Sequence, residues 1–342
     1  MIIVMRPGSS ENQIGEVTKV LESLGLGVHI SKGAEVTIIG VIGDKRVLND
    51  VPLELMPGVE KLVPIVESYK LAGKTFKPEP SVIDVQGVKI GGKELVIMAG
   101  PCAVENHDQI VQAALSVKKS GAQILRGGAF KPRTSPYAFQ GLEEEGLKLL
   151  KEAKDASGLL VITEVTSEKA VEISDKYVDM FQIGARNVQN FQLLREVGRS
   201  GKPVVLKRGP STTIDEWLNA AEYIISEGNY NVILCERGIR TFETATRNTL
   251  DISSVPVVKN SSHLPIIVDP SHAAGKSKYV APLAMAAIAA GADGLIVEVH
   301  PNPRCALSDA AQQLTPESFD ELCKDISKLA QILGREFNYG KQ

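Results

Sequence analysis

The chain has 342 residues, and 38 Lys and Arg against 41 Asp and Glu leave a net charge of −3, which excludes the basic surface that nucleic acid or an anionic membrane demands. The length suits one large domain or a large and a small one; no apolar run is long enough for a membrane span, and the N-terminus lacks the basic-then-apolar layout of a secretory leader. Cys102, Cys235, Cys305 and Cys323 are scattered with no C-x-x-C pair, which suits free thiols or one metal ligand in a reducing cytoplasm rather than a disulfide framework.

Residues 1–70 read as a small α+β unit. Residues 1–5 form an apolar strand. The spacing of Ile14, Val17, Val20, Leu21 and Leu24 predicts a helix over 9–24, with Ser9 and Ser10 as N-cap candidates. Gly25 and Gly27 end it. Strands follow at 28–30 and 35–42 around a Lys32-Gly33 turn, then a short helix at 51–56 and a last strand at 59–66. The order β-α-β-β-α-β is that of a ferredoxin-like domain. It holds no cluster of catalytic side chains, so a regulatory or assembly module and a plain packing extension both stay open.

Residues 71–93 are a connector. Phe76-Lys77-Pro78-Glu79-Pro80 is extended, and 82–85 and 88–90 form a small hairpin around Gln86-Gly87. From 94 to 342, apolar strands alternate with amphipathic helices eight times. The strands are 95–99, 123–125, 160–163, 180–183, 203–206, 232–234, 265–268 and 293–297. The helices are 107–120, 142–156, 167–176, 190–199, 214–227, 250–253, 279–290 and 316–333. Such alternation implies a parallel sheet, and eight repeats over roughly 250 residues fit a (β/α)8 TIM barrel. An open doubly wound sheet is the alternative. Against it, the first strand-to-helix turn (Gly100-Pro101-Cys102-Ala103) has neither a G-x-G-x-x-G nor a P-loop pattern.

In such a barrel the active site is built at the C-terminal strand ends. Those ends carry Cys102, Arg126, Glu164, Arg186, Lys207 (with Arg208), Arg237, His272 and Glu298. Cys102, His272 and Glu298, with Asp309 after the last strand, form a set suited to one divalent ion such as Mn, Fe, Co or Zn, which would act as a Lewis acid in the open mouth. Arg126, Lys131, Arg133, Arg186, Lys207 and Arg237 are too many cations for one phosphate; two phosphates and a carboxylate account for them. Lys207 could instead form a Schiff base. The basic loop from Ile124 to Tyr137 (I-L-R-G-G-A-F-K-P-R-T-S-P-Y) concentrates much of this charge.

At these residues the chain resembles the 3-deoxy-D-arabino-heptulosonate 7-phosphate (DAHP) synthases of type I-beta. The resemblance rests on A-G-P-C (99–102), L-R-G-G-A-F-K-P-R-T-S-P-Y (125–137), Q-I-G-A-R-N (182–187), L-K-R-G (206–209), L-C-E-R-G-I-R-T-F (234–242), D-P-S-H (269–272), E-V-H-P (298–301) and A-L-S-D (306–309). It implies a cytoplasmic transferase that condenses phosphoenolpyruvate with erythrose 4-phosphate, the first step of the shikimate pathway to aromatic amino acids. It implies metal ligation by Cys102, His272, Glu298 and Asp309. Phosphoenolpyruvate falls to Arg126, Lys131, Arg186, Lys207 and Arg237, with Arg126 on its carboxylate. The aldose phosphate falls to Arg133 and Thr134, with Ser135 and Ala185 beside them. Lys131, Glu164, Lys207 and His272 are the implied catalytic groups, with Glu164 orienting the water.

The related 3-deoxy-manno-octulosonate 8-phosphate synthases carry K-A-N-R-S-S where this chain has Lys131-Pro132-Arg133-Thr134-Ser135, which favours erythrose 4-phosphate over arabinose 5-phosphate. An enzyme of that second kind and a non-catalytic amino-acid sensor are the alternatives. The N-terminal unit resembles the regulatory domain of some of these synthases, which binds an aromatic amino acid between neighbouring subunits. That implies a homo-tetramer, a tyrosine or phenylalanine effector, and His29 and Ser31 as its contacts. Ala310 stands where a glycine is usual after the last metal ligand.

Overall fold

The computed structural model describes residues 1–340 apart from 34–35, 44, 49–50, 64–67 and 134, and apart from the side chains of 45 and 46. The chain divides into two compact units, Met1–Ser68 and Tyr69–Gln342.

The first unit contains β1 (Ile2–Met5), α1 (Glu11–Ser23), β2 (Gly27–Lys32), β3 (Thr37–Ile42) and β4 (Val59–Val63). Its antiparallel sheet has the order β2-β3-β1-β4, the arrangement that the β-α-β-β-α-β reading requires. Helix α1 starts where its sequence supplies a capping box: Ser10 Oγ accepts the Gln13 N–H at 3.3 Å, and Gln13 Oε1 accepts the Ser10 N–H at 2.9 Å. Ile14, Val17 and Leu21 then fall on one face and pack with Ile3, Met5, Ile39 and Val41. The helix expected at 51–56 shrinks to a 3-10 turn at Leu53–Leu55, because Pro52 and Pro57 leave too few donors between them. The end of the last expected strand, 64–66, and Glu35 at the start of another lie outside the described residues.

In the second unit a hairpin, β5 (Ile83–Val85) and β6 (Val88–Ile90), precedes the barrel. The barrel strands are β7 (Val96–Gly100), β8 (Ile124–Arg126), β9 (Leu160–Val165), β10 (Met180–Ile183), β11 (Val204–Lys207), β12 (Val232–Glu236), β13 (Ile266–Val268) and β14 (Gly294–Glu298), parallel and closed on themselves. Between and after them run α2 (His107–Lys119), α3 (Glu143–Ser157), α4 (Glu168–Ser174), α5 (Phe191–Ser200), α6 (Ile214–Ile225), α7 (Ser254–Ser261), α8 (Pro270–Ala274), α9 (Val280–Ala289) and α10 (Pro316–Ile332). The chain therefore has the (β/α)8 architecture, and the doubly wound alternative is excluded by closure of β14 onto β7.

Alternation along each strand divides the core in two. Val96, Met98, Ile124, Ile162, Met180, Val205, Ile233, Cys235, Ile267 and Ile296 fill the barrel interior, and Ile83, Val85 and Ile90 of the hairpin pack onto the same cluster. The neighbours Ile97, Leu125, Val161, Phe181, Leu206, Leu234, Val268 and Leu295 face the helices. The interior cluster includes the first residues of β7, β8 and β10, so the hairpin plugs the N-terminal end and the opposite end is left for chemistry. Among the described residues no helix is long and apolar enough to cross a membrane.

The second unit also departs from the sequence expectation in one helix. The segment between β12 and β13 is helical over Ser254–Ser261 and not over 250–253. Pro256 sits in the first turn of α7, where its missing N–H costs nothing.

Candidate active site

The strand tips bring the predicted residues to one end of the barrel. Arg126, Lys207 and Glu298 are the last residues of β8, β11 and β14, and Glu164 is the penultimate residue of β9. Cys102, Arg237 and His272 follow β7, β12 and β13 by a few residues, and Asp309 lies in the loop after β14. Gly100 makes the crossing of β7 and β8 possible. Its φ is +149°, and a Cβ there would meet the Arg126 carbonyl oxygen at 2.1 Å.

Three of the four predicted ligands lie together, with the fourth beside the two carboxylates. Ligand atoms of Cys102, Glu298 and Asp309 lie within 4.8 Å of one another. His272 Nε2 is 3.6 Å from Glu298 and 3.7 Å from Asp309. Its other nitrogen, Nδ1, is 2.7 Å from Asp269 Oδ2, which places the proton on Nδ1 and leaves the Nε2 lone pair facing the two carboxylates. A thiol and two carboxylates gathered together, with an imidazole beside the carboxylates, have the chemistry that fits a borderline divalent ion.

The surrounding groups hold this cluster together. Burial, with the Glu298 charge, pushes the Cys102 thiol up to about 11; its Sγ contacts Ser308 Oγ at 3.3 Å and Lys131 Nζ at 3.1 Å. Gln313 Oε1 accepts the Cys102 N–H at 3.0 Å. Burial works against the Asp309 carboxylate, but the Arg247 guanidinium at 3.1 Å outweighs it and holds Asp309 down at about 2. Asp309 has φ +51°, a left-handed conformation that costs a non-glycine residue about 1 kcal/mol, and Ala310 follows it in a 3-10 turn, Ala310–Gln312. Gln312 Nε2 donates to both Glu298 and Asp309.

Beside this cluster lies a cavity of about 320 Å³ whose lining includes Lys131, Arg133, Ser135, Glu164, Ala185, Arg186, Lys207, Arg237, Arg247, His272 and Asp309. Lys207 is paired with Asp269 at 2.5 Å and Arg247 with Asp309. Among the described residues, Lys131, Arg133, Arg186 and Arg237 have no carboxylate within ion-pair distance. Arg237 is only 9 % exposed, and burial draws its pKa down. Burial also works against Lys131, but Cys102 and the nearby carboxylates hold its ammonium above the ordinary value. Arg186 donates to the Pro132 carbonyl at 3.2 Å and Arg133 to Ser308 Oγ at 2.5 Å, so the basic loop folds over the cavity. Thr134 lies outside the described residues.

Two placements add partners that the sequence does not show. Arg126 is 5 % exposed and sits below the cavity lining, donating from Nη1 to Glu298 at 2.9 Å and to the Pro101 carbonyl at 2.7 Å. Arg208 points away from the mouth into a buried network with Glu236 and Asp251. Sequence reasoning missed Asp269, Arg247 and Gln312. Only Asp269 left a signal, an Asp-Pro pair of the kind that caps a helix at Asp and begins it with Pro. In the N-terminal unit, His29 and Ser31 lie on β2, an edge strand of its sheet, and both are exposed.

A closed parallel barrel whose C-terminal mouth carries a thiol and carboxylates that could hold a metal ion beside unpaired cations defines a barrel enzyme for small anionic substrates. Residues 73–333 match the DAHP synthetase I family and residues 1–67 match the DAHP synthase ferredoxin-like domain; the chain belongs to the DAHP synthetase I family. It is 52 % identical over 338 residues to a phospho-2-dehydro-3-deoxyheptonate aldolase of Thermotoga maritima, covering 99 % of this chain and 100 % of that protein. It is 32 % identical over 272 residues to a 2-dehydro-3-deoxyphosphooctonate aldolase of Geotalea uraniireducens, covering 73 % of this chain and 98 % of the relative. The crystal structure of the Thermotoga maritima DAHP synthase superimposes with a TM-score of 0.81 over 98 % of both chains at 52 % identity. A truncated form from the same organism does so with a TM-score of 0.74 at 50 % identity, covering 78 % of this chain and 98 % of that one.

Proposed function

We propose the following division of labour in the barrel mouth for the family's reaction. The chain condenses phosphoenolpyruvate with erythrose 4-phosphate and water to DAHP and inorganic phosphate, the first step of the shikimate pathway. The observation that carries the residue assignment is the set of cations lining the cavity without carboxylate partners, Lys131, Arg133, Arg186 and Arg237. Buried or half-buried cations of this kind require anions.

Arg186 and Arg237 bind the phosphate of phosphoenolpyruvate, and Lys131 and Lys207 bind its carboxylate. Arg126 pairs with Glu298 through Nη1, and its buried Nε, which has no partner among the described residues, is left for the phosphoenolpyruvate carboxylate. Arg133, Thr134 and Ser135 take the phosphate of the aldose, with Ala185 on the opposite wall. Cys102, His272, Glu298 and Asp309 hold a divalent ion, which when bound supplies Lewis-acid polarisation of the aldehyde. C3 of phosphoenolpyruvate attacks the aldehyde carbon, and the Lys131 ammonium gives a proton to the aldehyde oxygen. Water adds to C2 while Glu164 accepts one of its protons. The C–O bond to phosphate then breaks with its electron pair leaving on the phosphate oxygen, the C2 hydroxyl proton passes to the departing phosphate as the C2 carbonyl forms, and the proton on Glu164 restores the Lys131 ammonium. The fixed cations stabilise the phosphate charges throughout, which is electrostatic preorganisation.

The N-terminal unit is read as the seat of feedback control by tyrosine or phenylalanine, bound near His29 and Ser31 in a homo-tetramer in the cytoplasm. The match to the ferredoxin-like domain of DAHP synthases supports this. Release of phosphate from phosphoenolpyruvate and erythrose 4-phosphate, with Mn²⁺ or with chelator, tests the reading. Metal-independent turnover would overturn the assignment of the four ligands.

A further inference from the structure

Asp269 follows β13 and caps α8, its Oδ1 accepting the His272 N–H at 2.9 Å. The cap uses one oxygen. The other, Oδ2, accepts from two side chains at once, His272 Nδ1 at 2.7 Å and Lys207 Nζ at 2.5 Å. Asp269 is 1 % exposed and Lys207 3 %. Among the described residues Asp269 supplies the carboxylate that Lys207 pairs with, so the position of this buried ammonium is set by Oδ2.

We propose that Asp269 is a positioning residue that joins the two halves of the site, one carboxylate oxygen fixing both the metal-ligating imidazole and the lysine that meets phosphoenolpyruvate. This rests on the assignment of His272 and Lys207 made above. The carboxylate keeps the His272 proton on Nδ1 and so keeps the Nε2 lone pair free for the ion, and its charge raises the basicity of that ligand. The same oxygen holds Lys207 at the cavity wall, where substrate displaces or shares the bond.

Asparagine cannot do this. If its oxygen takes the Oδ2 position, its NH2 faces the His272 N–H, a donor against a donor. If it turns over, the NH2 faces His272 Nδ1 and forces the proton onto Nε2, which closes the lone pair to the ion; Lys207 then faces a donor as well. Serine can still cap the helix but is too short to replace the long-armed bonds.

The test uses Asp269→Asn and Asp269→Ser in the full chain, the serine variant serving if the asparagine variant does not fold. Mn²⁺ affinity is measured by competition with a metallochromic chelator without substrates, phosphoenolpyruvate affinity by calorimetry on metal-free protein, and the erythrose 4-phosphate KM at saturating metal. The expected result is Mn²⁺ affinity lower by about 10–100-fold, phosphoenolpyruvate affinity lower by about 10-fold or more, and an erythrose 4-phosphate KM within about twofold of the parent. Variants that bind both ligands as the parent does would reduce Asp269 to a helix cap, and loss of only one ligand would overturn the shared role. A parent that binds no Mn²⁺ would overturn the site reading itself, and the proposal with it, before any variant is compared.

Discussion

Gly184 leaves the space that the Glu164 carboxylate occupies: a Cβ on residue 184 would stand 1.9 Å from Glu164 Oε1 and 2.8 Å from its Cδ. Gln182 Nε2 holds the other oxygen at 3.2 Å. The carboxylate is thus confined between β9 and the turn after β10, facing the cavity. Because the conflicting atoms are the far end of a flexible side chain, Gly184→Ala moves the carboxylate without disturbing the barrel. Glu164→Gln and Gly184→Ala are both expected to lower kcat by about 100-fold, the typical contribution of a general base. The melting temperature of Gly184→Ala should stay near that of the parent. Full activity in both variants would remove Glu164 from the proton path.

Cys102 contributes the thiol of the ligand set from a position 1 % exposed. Cys102→Ala is expected to abolish metal-dependent turnover and to lower Mn²⁺ affinity, while circular dichroism stays that of the parent. Retained affinity would mean that the ion is held elsewhere.

Much of the barrel was legible because each strand is a short apolar run and each mouth residue is a polar side chain at its end. Arg126, Glu164, Lys207 and Glu298 break runs that are otherwise apolar, and such breaks have a meaning only in a barrel. What the sequence could not reveal was partner choice. Arg126 and Arg237 look alike in sequence, yet one reaches Glu298 past the end of β7 and the other remains unpaired at the mouth. Asp269, Arg247 and Gln312 acquire roles only when β13 and the loop after β14 meet. Helix α7 lies at 254–261 and not at 250–253 because Pro256 fits a first helical turn, which apolar spacing alone does not mark.

Arg133 reaches over the cavity to Ser308. If Arg133 holds the aldose phosphate as proposed, Arg133→Ala removes a charge-assisted contact worth about 1.5–3 kcal/mol, so the erythrose 4-phosphate KM should rise by roughly 10–100-fold. The phosphoenolpyruvate KM should change little. Steady-state kinetics with each substrate varied separates the two, and an equal rise in both would show that the loop serves the wrong substrate in this account.

His263 offers a pH test remote from the ligand set. Its Nδ1 is 2.8 Å from Ser81 Oγ and its Nε2 is 2.8 Å from the Leu71 carbonyl oxygen, which ties the connector to the barrel. Burial holds its pKa below the ordinary 6.5, against the raising effect of the Leu71 bond. The folded state therefore binds fewer protons than the unfolded one, and stability is lost as pH falls from about 6.5 through the folded value. The melting temperature of the parent should fall over that window, and His263→Gln should flatten the slope. An unchanged slope would exclude His263 as its source.

Deletion of residues 1–68 should leave catalysis in place and remove inhibition by tyrosine or phenylalanine. Rates measured with each amino acid decide this, and a truncated enzyme that stays inhibited would refute a regulatory N-terminal unit.

The most direct measurement is phosphate release by the full chain with Mn²⁺, phosphoenolpyruvate and either erythrose 4-phosphate or arabinose 5-phosphate, each with and without chelator. The account predicts turnover with the four-carbon aldose, far slower turnover with the five-carbon one, and loss of both with chelator. Equal or faster turnover of arabinose 5-phosphate, or turnover that survives the chelator, would contradict it.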